Sequence, residues 1–190
     1  MTTKQTQTSS PSARERILLT AHDLFYADGI RATGIDSIIK QAKVTKVTFY
    51  RHFPSKHDLI IAFLEYRHQR WMAWFTESIM CHGNTVDALI PSLSEWFESD
   101  HYRGCAFINS VGELGETMPE VIRLTQQHKH DMAKFIENLL TDSASKASTA
   151  NALALAIDGA IIRAQIDHAP KNAMDSFKTI AEALSAKYEA

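Results

Sequence analysis

The residues best able to do chemistry lie close together in one short run, Lys46-Val47-Thr48-Phe49-Tyr50-Arg51-His52. Lys46 and Arg51 are cations, Thr48, Tyr50 and His52 offer hydrogen bonds, and no acid interrupts them. Such a set suits the recognition of phosphate oxygens and base edges rather than bond breaking. Its surroundings agree. From Asp36 to Lys56 there are five basic residues (Lys40, Lys43, Lys46, Arg51, Lys56) against one acid, Asp36. DNA affinity comes largely from neutralised phosphates, so this local excess matters more than the whole chain's net charge of −2. Catalytic patterns are missing. There is no GxSxG elbow, no Gly-rich phosphate loop and no cysteine with an obvious local histidine partner. The nine histidines form no HExxH, and His128 and His130 are two apart, on different helix faces. His101 near Cys105 is the nearest thing to a ligand pair, so neither a metal site nor a cofactor is expected.

The elements that must position this run can be read around it. Thr33 and Asp36 have capping-box spacing, and Ile35, Ile38, Ile39 and Ala42 give a two-turn apolar face. Ala42-Lys43-Val44 reads as a turn, and Thr45 can cap the next helix. That helix buries Phe49 and Phe53 and stops at Pro54, which cannot continue the ladder. Ser55 and Asp58 then cap a further helix. The result is a helix-turn-helix whose second helix fits a DNA major groove. Lys46 and Thr48 are placed for base edges or phosphates, Val47 for a thymine methyl, and Tyr50 and His52 for phosphate oxygens. Lys56 adds phosphate attraction at a helix N-terminus, and Thr33, Lys43, Thr45 and Arg51 complete the candidate DNA contacts.

The basic character is confined to one end. Residues 1–60 hold nine Lys/Arg and five Asp/Glu, whereas residues 61–190 hold eleven and seventeen. Only the first part is built to meet a polyanion. Cys81 and Cys105 are isolated, which fits a reducing cytoplasm. No run approaches a membrane span, and MTTKQTQTSS has no apolar core, so a disordered polar tail is expected over residues 1–10.

The rest of the chain is helical, with no strand-like alternation. Ser12 and Glu15 can box the first helix, whose face is Ile17, Ala21, Leu24 and Phe25, with Gly29 just past its end. The helix begun at Ser55 runs to Met80. Pro91 predicts a kink or late start in the helix over 85–100, and three glycines weaken a short one over 104–115. Pro119 suits the first position of the next. The stretch Asn151–His168 is apolar nearly all round and needs two partners. A last helix starts near Lys171. The expectation is an all-α chain of about nine helices.

Phe25, Gly29 and the run TGIDSIIKQAKVTKVTFYRHFPSKHDLI resemble a TetR-family transcriptional regulator. The family usually has glycine where this chain has Lys43. A segment RGCAFINSVGELGE is similar to one branch of the family. The resemblance implies a three-helix DNA-binding domain over 11–57 and an effector-binding and dimerisation domain over 58–190. It implies double-stranded operator DNA, a second copy of the chain and a small hydrophobic or aromatic effector as partners. The candidate effector cavity lies between four segments, lined by Trp71, Phe75, Trp96, Phe107, Ile108, Val111, His128 and Met132. Leu155, Gly159, Ile162, Ile166, Phe177, Ala181 and Leu184 are the candidate dimer face, because the Asn151–His168 helix has apolar surface left over. The expected function is a ligand-responsive cytoplasmic repressor, not an enzyme and not membrane-bound. An architectural DNA binder without effector, or a helical metal-binding or enzymatic protein, is the alternative.

Overall fold

The structure is a computed structural model that describes residues 10–189, with side chains to residue 185. Apart from Ser10, the tail expected over residues 1–10 lies outside the described residues. Nine α-helices are formed among the described residues: α1 (Ala13–Asp28), α2 (Ile35–Gln41), α3 (Lys46–His52), α4 (Lys56–Cys81), α5 (Leu89–Phe97), α6 (Ala106–Leu114), α7 (Pro119–Leu139), α8 (Lys146–Asp167) and α9 (Pro170–Glu189). The chain divides into two compact units, residues 1–63 and 64–190, and α4 begins in the first and runs into the second.

In the first unit Ile17, Ala21, Phe25, Ile38, Phe49, Phe53, Leu59 and Phe63 form the core. The Ser12–Glu15 box closes α1 as expected, with Ser12 N donating to Glu15 Oε2 at 2.8 Å and Glu15 N to Ser12 Oγ at 3.2 Å. Gly29 ends α1 at φ 89°, where a side chain would be strained. At α2 the structure corrects the sequence reading. Gly34 takes the N-cap position and no side chain caps the helix. Thr33 is only 4% exposed, and its hydroxyl donates to Gly29 O at 2.7 Å. A buried hydroxyl must find an acceptor, and that requirement outweighs a cap that water can replace.

The second unit holds the remainder of α4 and α5–α9. There α8 packs against α7 and α9, α6 against α7, and α5 against α9. A 3₁₀ turn over Val86–Ala88 precedes α5, so Pro91 falls in the first turn of the α-helix, where no donor is missed. The glycine-weakened segment is helical after all. Gly104 stays outside α6 at φ 76°, and buried Ala106, Phe107 and Ser110 anchor the helix by tertiary packing. α7 begins at Pro119. On α8, Leu153, Ile157 and Ile161 are buried, while Leu155 and Ile166 on the other side are 74% and 67% exposed.

Candidate functional site

Helix α3 is seven residues long and is held from beneath and from both ends. Phe49 is fully buried and sits 6.4 Å from the Phe53 ring. Thr45 Oγ1 accepts from Thr48 N at 3.1 Å and lies 2.9 Å from Thr48 Oγ1, so both hydroxyls sit at the N-terminus of the helix. The turn before α3 ends α2 through paired bonds, Lys43 N to Lys40 O and Val44 N to Ile39 O. This geometry requires a left-handed residue, and Lys43 supplies it at φ 52°. A lysine there costs about 1 kcal/mol relative to glycine, and it places an exposed cation directly before α3. Arg16 Nε donates to Ala42 O at 3.2 Å and ties α1 to the end of α2, a role its sequence position did not reveal.

What this platform presents is a positive, mixed surface. Val47 is 71% exposed and Tyr50 41%, and Lys43, Lys46 and Arg51 are exposed with them. Lys46 Nζ stands 3.9 Å from Asp36 Oδ1 across solvent, a pair too exposed to hold the ammonium against a phosphate. His52 is half-buried. Two candidates sit elsewhere. Thr33 faces inward, as above. Lys56 is half-buried, donates to Ile30 O and lies 5.9 Å over the Phe25 ring.

The second unit gathers part of the expected effector wall. A void of about 10 Å³ is bordered by Trp71, Trp96, Phe107 and His128, together with Arg67, Cys105, Lys129 and Ile161. His128 is 2% exposed, stacks on Phe107 with centroids 3.9 Å apart and meets Trp71 edge-on at 5.1 Å. Its Nδ1 lies 3.2 Å from His68 Nδ1, and His68 Nε2 lies 3.5 Å from Asp131. Burial first, then the charges of Lys129, His68 and Arg67, push the His128 pKa down to about 2, so it is neutral near pH 7. Lys129 Nζ pairs with Asp158 and lies 3.5 Å from Cys105 Sγ. The indole N–H of Trp71 is buried with no partner. Phe75 stacks on Trp71 at 4.6 Å but does not border the void, nor do Met132, Ile108 and Val111. Sequence reasoning missed Arg67, although it precedes Trp71 by one helical turn and so shares its face.

The model of the bacterial regulatory proteins of the tetR family matches residues 17–63. Over 134 residues, 67% of this chain and 68% of the other, the protein is 28% identical to an HTH-type transcriptional regulator from the lacX 3′ region of Lactococcus lactis subsp. lactis. It is 26% identical to the HTH-type transcriptional regulator UidR of Escherichia coli K12 over 141 residues, 74% of this chain and 70% of that one. The crystal structure of SCO4454, a TetR-family transcriptional regulator from Streptomyces coelicolor, superposes with a TM-score of 0.82 at 29% identity, covering 94% of this chain and 96% of the other. Residues 17–63 thus carry a tetR-family DNA-binding domain, and the chain as a whole folds like a TetR-family regulator.

The chain is therefore similar to DNA-binding transcriptional regulators over most of its length, and α3 is the second helix of its helix-turn-helix. The expected dimer face divides in two. Leu155, Gly159, Ile162 and Ile166 are exposed on α8, and an added Cβ at Gly159 meets nothing. Phe177 and Ala181 are instead 1% and 5% exposed in their own chain, because α9 turns them onto α8. Leu184 is half-buried. Ile180, 45% exposed, replaces them on the surface, where α8 and α9 border an open groove of about 320 Å³.

Proposed function

We propose that the protein is a dimeric repressor that binds an operator through residues 11–57 and is released by a small hydrophobic or aromatic molecule held within residues 58–190. The observation that carries this is the outer face of α3, where Lys46, Val47, Tyr50 and Arg51 stand exposed over a fully buried Phe49. One such helix reads few base pairs, so two copies must act on two half-sites. The apolar residues Leu155, Ile162 and Ile166, with open Gly159 between them, suit close approach of a second α8. Helix α4 carries Lys56 near one end and Trp71 further along, so an effector that prefers another position of the Trp71 stretch acts on a helix shared with the DNA-binding part. The protein works in the cytoplasm, and no helix among the described residues is long and apolar enough to cross a membrane.

The small size of the interior void favours a second reading, a DNA binder with no effector. A gel shift on the DNA upstream of the protein's own gene, with and without a panel of small aromatic compounds, decides between them. Release by one compound is expected, and retention against the whole panel supports the second reading. Sedimentation should show a dimer at micromolar concentration, and the double variant Leu155→Asp, Ile162→Asp should sediment as a monomer and lose the shift. A clean monomer for the parent protein would remove the dimer.

A further inference from the structure

Val47 takes no part in the core of the first unit. Among the described residues of that unit it is the most exposed large hydrophobic side chain, at 71%. Two positions along a helix is about 200° of rotation, so Val47 stands almost opposite the fully buried Phe49. Valine is also a poor choice for an exposed helix position, because its branched Cβ loses rotamer freedom there and little of it is buried in return. Its neighbours on the outer face are polar or charged. Tyr50, at i+3, is 41% exposed, with its ring edge-on to Phe49 at 5.2 Å. Lys43, Lys46 and Arg51 are exposed around it. Thr48 is half-buried, and its Oγ1 lies 2.9 Å from Thr45 Oγ1. An apolar side chain ringed by three cations suits a polyanion that carries an apolar group on its own surface.

We propose that Val47 is a specificity-determining residue that reads the C5 methyl group of a thymine in the major groove. This rests on the reading that residues 11–57 bind an operator, and it names the base feature that is read. A valine side chain has no donor or acceptor, so it cannot tell bases apart by hydrogen bonding. The thymine methyl is the apolar group that a base pair shows in the major groove. Lys43, Lys46 and Arg51 supply attraction to phosphates that does not depend on sequence. The contact at Val47 does depend on it. Apolar surface leaves water on both partners only where a thymine lies against Val47, because cytosine lacks the methyl group and purines present N7.

Uracil isolates this contact, because it keeps every hydrogen-bonding group of thymine and lacks only the methyl. The full-length protein first selects an operator from a random pool of duplex DNA. Each thymine of that operator is then replaced singly by uracil and binding is measured by gel shift. One thymine per half-site is expected at which uracil weakens binding by about fourfold, rising to about tenfold or more when both half-sites carry it. At those positions Val47→Ala should bind thymine and uracil within about twofold of each other. Alanine is the better helix former and Val47 lies outside the core, so circular dichroism and melting temperature should show the variant folded like the parent. The proposal is overturned if uracil is tolerated at every thymine, or if Val47→Ala keeps the parent's preference for thymine. The two ideas fail differently. An operator bound equally with thymine and with uracil removes the Val47 assignment and leaves the operator reading standing. A pool from which no sequence emerges removes both.

Discussion

The two units place their candidate residues on opposite sides of the same boundary between core and solvent. In the first, Lys46, Val47, Tyr50 and Arg51 are exposed, and Phe49 and Phe53 are buried beneath them. In the second, Trp71, Phe75, Phe107, His128 and Met132 are at most 6% exposed, so the residues expected to meet an effector are also the core. The difference decides what a substitution can report. On α3 a truncation removes a contact and leaves the fold. Around Trp71 a truncation opens a cavity, and binding and stability change together.

The largest expected effect is on the core side. Phe75→Ala should lower the unfolding free energy by about 3–5 kcal/mol in a urea titration, because a fully buried ring leaves a void its neighbours cannot fill. A loss under about 1 kcal/mol would show that the second unit is loosely packed and would blur the contrast.

His128 gives the next effect, through pH. Its folded pKa of about 2 lies below the ordinary 6.5, so below pH 6.5 the unfolded chain takes up a proton that the native chain refuses. Stability from this group is therefore complete above pH 6.5 and is lost as pH falls toward 2, at about 1.4 kcal/mol per pH unit. Between pH 6.5 and 5 the parent protein should lose about 2 kcal/mol more than His128→Phe. Identical pH slopes for the two proteins would mean that water reaches the ring.

On the exposed side, Lys46→Ala and Tyr50→Ala should each weaken operator binding by about 1–3 kcal/mol while stability changes by less than about 0.5 kcal/mol. Operator binding unchanged in both variants would take α3 out of the recognition role.

Lys43→Gly sharpens the comparison at its smallest scale. Relief of the left-handed strain should raise stability by about 1 kcal/mol or less, while loss of the cation should lower the salt slope of DNA binding by about one. The same substitution thus strengthens the fold and weakens recognition, a separation that has no counterpart around His128.

The first unit was legible from sequence because its signals are local. The Ser12–Glu15 box, Gly29, the Thr45 cap, Pro54 and the Phe49–Phe53 pair act within one or two turns, and the structure bears each of them out. Thr33 misled because its spacing to Asp36 fits a cap, while the choice of partner rested on Gly29 O, brought near by the α1–α2 turn. In the second unit the helices were legible, but their rotations were not. An apolar stripe says that a face is buried and does not say against what.

Sequence alone therefore determined an all-helical chain, the helix-turn-helix and the chemistry of its outer face, since periodicity, caps and charge are properties of neighbours along the chain. Tertiary structure decided the rest. It turned Phe177 and Ala181 onto α8 and left Leu155, Ile162 and Ile166 outside, because two helices can share only one side of α8 within one chain. It set Arg67, Lys129 and Cys105 around His128, residues 24 to 62 positions apart that meet only when α4, α6 and α7 pack. Proximity of that kind depends on how helix faces are oriented, and no pattern along a single helix encodes it.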